Sequence, residues 1–205
     1  MARSEQREFV PALGYHWLTR WYDLTIRLTM PEKKFRRRLI ELVDPHPMER
    51  LLEFGYGTGR NMVVLWKRCP GADITGLDID PNVRLIAQGS LRREGVLAKL
   101  DLYDGGTFPY PDAAFDVVFS SLVFHQLMPE QKHHAFREIR RVLKPGGRLV
   151  VGDWGKPTNR RMRIAFYAVQ LLDGFKNTGP NLRGALPASM EIEGFETVRQ
   201  VDAMD

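Results

Sequence analysis

Residues 51–61 read LLEFGYGTGRN: an apolar pair runs into Glu53 and then into glycines at alternate positions, Gly55, Gly57 and Gly59. Glycines at a strand-to-helix turn admit positive φ and carry no Cβ, so a ligand can lie directly against backbone N–H groups. The spacing narrows the ligand. G-x-G-x-G is not the G-x-G-x-x-G of nicotinamide and flavin dinucleotide sites, and no G-K-[ST] follows as a P-loop requires. Two carboxylates extend the pattern. Glu53 stands just before the first glycine, where the ammonium of an amino-acid-bearing ligand could be countered directly or through water. Asp78, in ITGLDIDP, ends a second strand, where a carboxylate can accept hydrogen bonds from both ribose hydroxyls.

Together with KPGGRL at 144–149, these residues resemble the class I S-adenosylmethionine-dependent methyltransferases, in particular the small bacterial enzymes similar to the quinone-biosynthesis methyltransferases. The resemblance runs over residues 15–201. It implies a Rossmann-like, doubly wound α/β sheet, mostly parallel, that binds S-adenosylmethionine through Glu53, Gly55, Gly57, Asp78, Ile79, Asp104 and Ser120, with Tyr22 contributed by an N-terminal helical lid. In such enzymes a carboxylate at the end of the third strand accepts from the adenine amino group, ahead of a loop resembling LPFPD. Counting back from FPYPD at 108–112 gives Asp104, with Asp101 as the rival, and either could be a solvated loop acid.

The elements that position these residues follow in order. A chain of 205 residues fits one domain, able to bury about 70% of its unfolded surface. Within it, 1–45 reads as lid, 46–155 as cofactor-binding core, and 156–205 as a substrate-side helix and a last strand. Aromatics crowd Tyr15 to Tyr22, and Pro31 opens PEKKFRRRLIELV with Phe35, Leu39 and Val43 at helical spacing. These helices either fold over the cofactor or simply pack on the domain. Asp80 caps a helix starting at Pro81 and running to 93, after strand 73–78. Strand 96–103 alternates, FDVVFSSL at 115–122 reads as a central strand covered on both faces, helix 129–143 follows, and RLVVGDW is strand five. A helix is expected over 157–175 and a sixth strand over 194–201. The usual last antiparallel strand has no residues left to form it, so either strand six takes its place or an edge is left open to a partner chain, as in a homodimer. Tyr56, between the first two glycines, is larger than the family's usual residue and could crowd the cofactor.

Composition sets outer limits. Thirty Lys and Arg against 25 Asp and Glu give +5, modest for a nucleic-acid binder, so no nucleic-acid partner is expected. The basic runs at 33–38 and 160–163 are either solvated helix faces or a contact with an anionic membrane surface. The single Cys69, and an N-terminus without a signal-like apolar run, lead us to expect a cytoplasmic protein.

A sulfonium methyl is already electrophilic, so such an enzyme chiefly orients an in-line attack and excludes water; no metal is expected. After strand four, VFHQLMPEQ supplies His125, either a general base or a histidine satisfying backbone groups, while Asp153 and Trp154 leave strand five toward substrate. The chain has SSLVF where amino-methylating DNA enzymes carry [DNS]-P-P-[FYW], and Cys69 is misplaced for pyrimidine carbon-5 methylation. The expected acceptor is a small or lipophilic molecule, quinol-like or lipid. Two other readings stand beside it: a non-catalytic binding protein of the same fold, and a nicotinamide-dependent oxidoreductase.

Overall fold

The computed structural model describes residues 32–155, 179 and 184–201. Five strands, β1 (Arg50–Phe54), β2 (Asp73–Asp78), β3 (Ala98–Leu102), β4 (Phe115–Ser121) and β5 (Leu143–Gly152), form one sheet in the order β3-β2-β1-β4-β5, every pair parallel. Parallel neighbours require crossovers. Helices α2 (Arg60–Arg68), α3 (Pro81–Arg93) and α4 (Pro129–Val142) supply them, with α1 (Glu32–Val43) before β1 and α5 (Ala185–Ile192) near the end of the described chain. The strand order runs one way from β1 to β3 and the other way from β4 to β5. The reversal falls between β1 and β4, and ligands of open α/β sheets bind beyond the strand ends at such a point.

Both sheet faces are covered, as β1 already implies: after Arg50, every residue of RLLEF is buried. Leu51, Ile74, Val117 and Phe119 pack toward Leu39, Ile40 and Val43 of α1, Leu65 of α2 and Leu91 of α3. Leu52, Phe54, Leu77 and Val118 pack on the opposite face with Phe124 and with Phe136 and Ile139 of α4. The Phe136 ring stacks on Phe124 at 4.5 Å and meets Phe195 edge-on at 6.2 Å. Truncating it removes the centre of this cluster. Phe136→Ala should therefore cost about 3–5 kcal/mol, measured by urea unfolding, and a loss under about 1 kcal/mol would show that the stack contributes little.

Local signals set the element ends. Asp80 accepts from Asn82 N at 2.8 Å with Pro81 opening α3, as the sequence predicts. In β5 the segment Lys144–Gly147 leaves the ladder, with Gly146 at φ +77°, and pairing resumes at Arg148 opposite Val117. The Lys144 ammonium then reaches Asp116 at 2.8 Å, so the expected turn lies inside the strand's bounds.

One expectation is corrected. Residues 194–201 form no strand. Instead α5 precedes them, Gly194 turns at φ +87°, and Phe195 anchors the segment against α4 while Val201 stays exposed. With one apolar anchor and polar neighbours, this stretch has no second buried face to recruit into a sheet. Helix α1, within the segment read as lid, packs on the sheet, one of the two arrangements its sequence left open. A Cβ on Gly152 would come within 2.9 Å of Phe35 and 3.2 Å of Leu39, so the close approach of α1 to β5 depends on that glycine. Tyr22, the N-terminal aromatics and the helix expected at 157–175 lie outside the described residues. No helix among the described residues is long and apolar enough to cross a membrane.

Candidate cofactor and acceptor site

The glycine turn sits where β1 gives way to α2. Gly55 (φ +74°) donates its N–H to Leu77 O at 2.8 Å, and a Cβ there would fall 2.2 Å from a Val123 methyl. Only glycine fits between the two strand ends. Gly57 (φ +50°) differs, since among the described residues a Cβ on it would meet nothing within 4 Å, which leaves its face open to a ligand. Gly59 (φ +74°) caps α2 and faces Ala87 of α3 at 3.3 Å, so the third glycine serves helix packing.

Asp78 ties this turn to β2. Its Oδ2 accepts from Gly57 N at 2.9 Å, while Oδ1 accepts from Ile79 N at 2.8 Å and Asp80 N at 3.1 Å. Burial pushes its pKa up, and the three N–H donors oppose that rise. Ile79 follows directly, and its side chain would lie 3.4 Å from a Cβ on Gly105. Asp104 thus leaves β3 beside Ile79, exposed, accepting from Gly106 N at 2.9 Å. Asp101 already has partners, Tyr110 OH at 3.0 Å and Lys99 at 2.8 Å. The loop after Asp104 is clamped by α4: Glu138 accepts from Phe108 N at 2.7 Å, and Arg141 donates to the Phe108 and Tyr110 carbonyls.

Glu53 is fully buried. Its Oε1 accepts from the Asn61 amide at 2.7 Å, while Oε2 has no hydrogen-bond partner among the described residues. Burial pushes its pKa up to about 8. A carboxylate oxygen left this way at the foot of an open glycine turn suits a cationic ligand group. The residues present therefore fit S-adenosylmethionine: Glu53 for its amino-acid end, Gly55 and Gly57 for close backbone approach, Asp78 for the ribose, and Ile79 and Asp104 for the adenine. Ser120 is placed differently. It is fully buried and its hydroxyl donates to Phe54 O at 2.8 Å, tying β4 to β1 at the residue before Gly55. Tyr56 does not crowd the site either. Its ring turns into the core against Gly76, where a Cβ would fall 2.6 Å from it, and the side chain is 3% exposed.

Past β4, Leu122 takes a positive φ of 57° before a short turn, Phe124–Gln126, that carries His125. The His125 ring is buried with Nδ1 2.8 Å from Asp153 Oδ1, and Asp153 also accepts from His125 N at 3.2 Å and Trp154 N at 2.7 Å. Because Asp153 only accepts, Nδ1–H donates, which in the neutral ring leaves the basic lone pair on Nε2. Buried Lys132 of α4 has its ammonium pushed down to about 8 by desolvation, with the nearby Asp153 charge opposing. Sequence reasoning placed His125 and Asp153 separately and did not see that they join.

Residues 52–151 match the family described as "Methyltransferase domain". The chain is 35% identical to the demethylmenaquinone methyltransferase of Thermus thermophilus over 66% of its own length and 62% of that protein's. It is 33% identical to the 2-methyl-6-phytyl-1,4-hydroquinone methyltransferase of Synechocystis over 73% of its own length and 44% of the relative's. It thus spans less than two thirds of the length of either relative. In structure it resembles a putative O-methyltransferase from Nostoc punctiforme, with a TM-score of 0.68 and 18% identity over 79% of this chain and 50% of that one. The glycine turn, the acidic ends of β1 and β2 and the parallel sheet all fall within the matched segment. Residues 52–151 thus match the methyltransferase-domain family, and the chain resembles the quinone-biosynthesis members of the class I S-adenosylmethionine-dependent methyltransferases.

Proposed function

We propose that the protein transfers a methyl group from S-adenosylmethionine to a small lipophilic acceptor, quinol-like or lipid. The observation that carries this reading is the fully buried Glu53 carboxylate, with Oε2 unpartnered among the described residues, beneath the open Gly57 turn. S-adenosylmethionine would supply a methyl on a sulfonium, an electrophile that needs only an aligned nucleophile. Glu53 holds the amino-acid end, Asp78 the ribose, and Asp104 and Ile79 the adenine. Gly55 keeps the ends of β1 and β4 close enough to shield the reacting centre from water. Two hydroquinone or demethylmenaquinone methyltransferases among the relatives support the acceptor class. On the outer face of α1, exposed Lys33, Lys34 and Arg37 would favour an anionic membrane surface, where such acceptors reside.

His125 is the general base in this reading. A hydroquinone becomes a strong ring-carbon or oxygen nucleophile when a hydroxyl proton leaves, and the imidazole, oriented by Asp153, would take that proton. Once an acceptor is in hand, His125→Asn and Asp153→Asn should lower kcat by about 10²–10⁴-fold while leaving S-adenosylhomocysteine affinity unchanged. An unchanged kcat would make His125 a structural histidine.

The first test is calorimetric titration with S-adenosylmethionine and S-adenosylhomocysteine, with NAD as control, followed by an acceptor screen starting from hydroquinones. Micromolar binding of the two sulfur ligands and none of NAD is expected. Binding of neither would turn the interpretation to a non-catalytic protein of this fold.

A further inference from the structure

The carboxylate of Glu53 is held by a chain of side chains that begins on α1. Asn61, the second residue of α2 and 3% exposed, donates through Nδ2 to Glu53 Oε1 at 2.7 Å. Its Oδ1 accepts from Arg36 Nη1 at 2.6 Å. Arg36 is fixed in turn by Glu32, whose Oε1 accepts from Nε at 3.1 Å and Nη2 at 2.7 Å and also from Arg60 at 2.9 Å. The charged or titratable groups bearing on Glu53 are thus Arg36 from α1 and Asp78 from β2, with the Asn61 amide from α2 between.

An Asn side chain has one accepting and one donating end, and left to itself it could present either to a carboxylic acid. A guanidinium has donors only. Arg36 therefore obliges the Asn61 oxygen to face α1 and the NH2 to face Glu53, which obliges Glu53 to accept at Oε1 and leaves Oε2 for another donor. We propose that Arg36 is a positioning residue for the cofactor's cationic end, acting through Asn61 to hold Glu53 with Oε2 available to the ligand ammonium. The docking of α1 on the sheet and recognition of the amino-acid end are then a single event, because α1 brings both Arg36 to Asn61 and Leu39 and Ile40 to the core. The proposal rests on the cofactor reading given above.

The test compares S-adenosylhomocysteine with 5′-deoxy-5′-methylthioadenosine, which keeps the nucleoside but lacks the amino-acid end, on wild type, Arg36→Met and Arg36→Lys by calorimetry. Arg36→Met should weaken S-adenosylhomocysteine by roughly tenfold or more, as loss of a charge-assisted hydrogen-bond link predicts, and leave methylthioadenosine within about twofold. Arg36→Lys, which keeps the charge and a donor, should recover part of the loss. Equal weakening of both ligands would mean that Arg36 merely docks α1, and an unchanged ratio with full affinity would mean that it does nothing for Glu53; either overturns the proposal. If wild type binds neither ligand, the cofactor reading fails, and the apo protein decides the role of Arg36. In a carbon-13 NMR titration of the Glu53 carboxyl, identified by its loss in Glu53→Gln, the midpoint should move to higher pH in Arg36→Met and return toward wild type in Arg36→Lys. An unmoved midpoint would overturn the coupling.

Discussion

Glu53→Gln should make the ligand-free protein more stable at pH 8 and at the same time weaken S-adenosylhomocysteine binding by about 10²–10⁴-fold. The two effects share one cause. In the folded protein Glu53 takes up its proton at about 8, against 4.5 for an ordinary glutamate, because burial disfavours the charged form. Between those values the folded state binds more protons than the unfolded chain, so the contribution of this group is fully favourable below pH 4.5 and is lost as pH rises through 8. The loss amounts to at most about 5 kcal/mol. Asp78, which burial also pushes up, contributes in the same direction but equally in wild type and Glu53→Gln, and the carboxylates held low act in another pH range. Glu49, Glu138 and Asp116 are held below the usual carboxylate range by hydrogen bonds from Arg148, Arg141 and Lys144, so their stabilisation fails only as pH falls below that range. Buried Lys132 titrates from about 8 upward. Between pH 5 and 8 the wild-type unfolding temperature should therefore fall by about 2–4 °C for each kcal/mol, and Glu53→Gln should flatten that slope. The same neutral side chain cannot face an ammonium as a carboxylate does, and removing one partner of a buried ion pair costs about 3–5 kcal/mol, which is roughly 10²–10⁴ in affinity. Parallel slopes in the two proteins would mean that Glu53 is already ionised in the fold, and retained affinity would mean that the ligand's cationic end lies elsewhere.

Sequence periodicity was a good guide where one element carried its own signals. Asp80 and Pro81 opened α3 at the expected residue, and the apolar run at 115–121 lies inside the sheet, paired on both sides by β1 and β5. The guide failed where a short β-prone stretch had no partner surface. In GFETVRQV at 194–201 only Phe195 is packed against the core, and Gly194 ends a helix instead of starting a strand. That helix, ALPASMEI, escaped notice because Pro187 reads as a breaker, although in a first turn its missing N–H removes no intrahelical bond.

The site divides along the same line. Glu53, the glycines and Asp78 are legible because one turn and one strand end specify them. Tyr56 was misread because a side chain's direction depends on what lies across from it, and Gly76 on the neighbouring strand provides the space. Ser120, which only the resemblance assigns to the cofactor, donates its hydroxyl across the strands to Phe54 O. Arg36 is the instructive omission. In the sequence it belongs to a basic run that reads as solvated, yet it lies one turn before Ile40 and one turn after Glu32, on the edge of the buried stripe. The His125–Asp153 and Arg36–Asn61 links both cross between elements far apart in the chain, and no local pattern carries them.

Asp78→Asn offers the second large effect, and its chemistry separates two jobs of one carboxylate. The asparagine oxygen can still accept from Ile79 N and Asp80 N, as Oδ1 does now, so the start of α3 should survive. The NH2 group, however, replaces the oxygen that accepts from Gly57 N, setting donor against donor at a contact of 2.9 Å. The glycine turn must then move away from β2, and the ribose hydroxyls lose their carboxylate acceptor. With a hydrogen bond to a charged group worth about 1.5–3 kcal/mol and two such bonds forfeited, S-adenosylhomocysteine affinity should fall by about 10²–10⁴. Adenosine should lose affinity in the same proportion, because the ribose is common to both ligands. That parallel loss distinguishes Asp78 from Glu53, whose substitution should leave adenosine nearly untouched. Calorimetry with the two ligands on the two variants gives four numbers, and if Asp78→Asn spared adenosine while weakening S-adenosylhomocysteine, the carboxylate of β2 would belong to the amino-acid end and the ribose assignment would have to be abandoned.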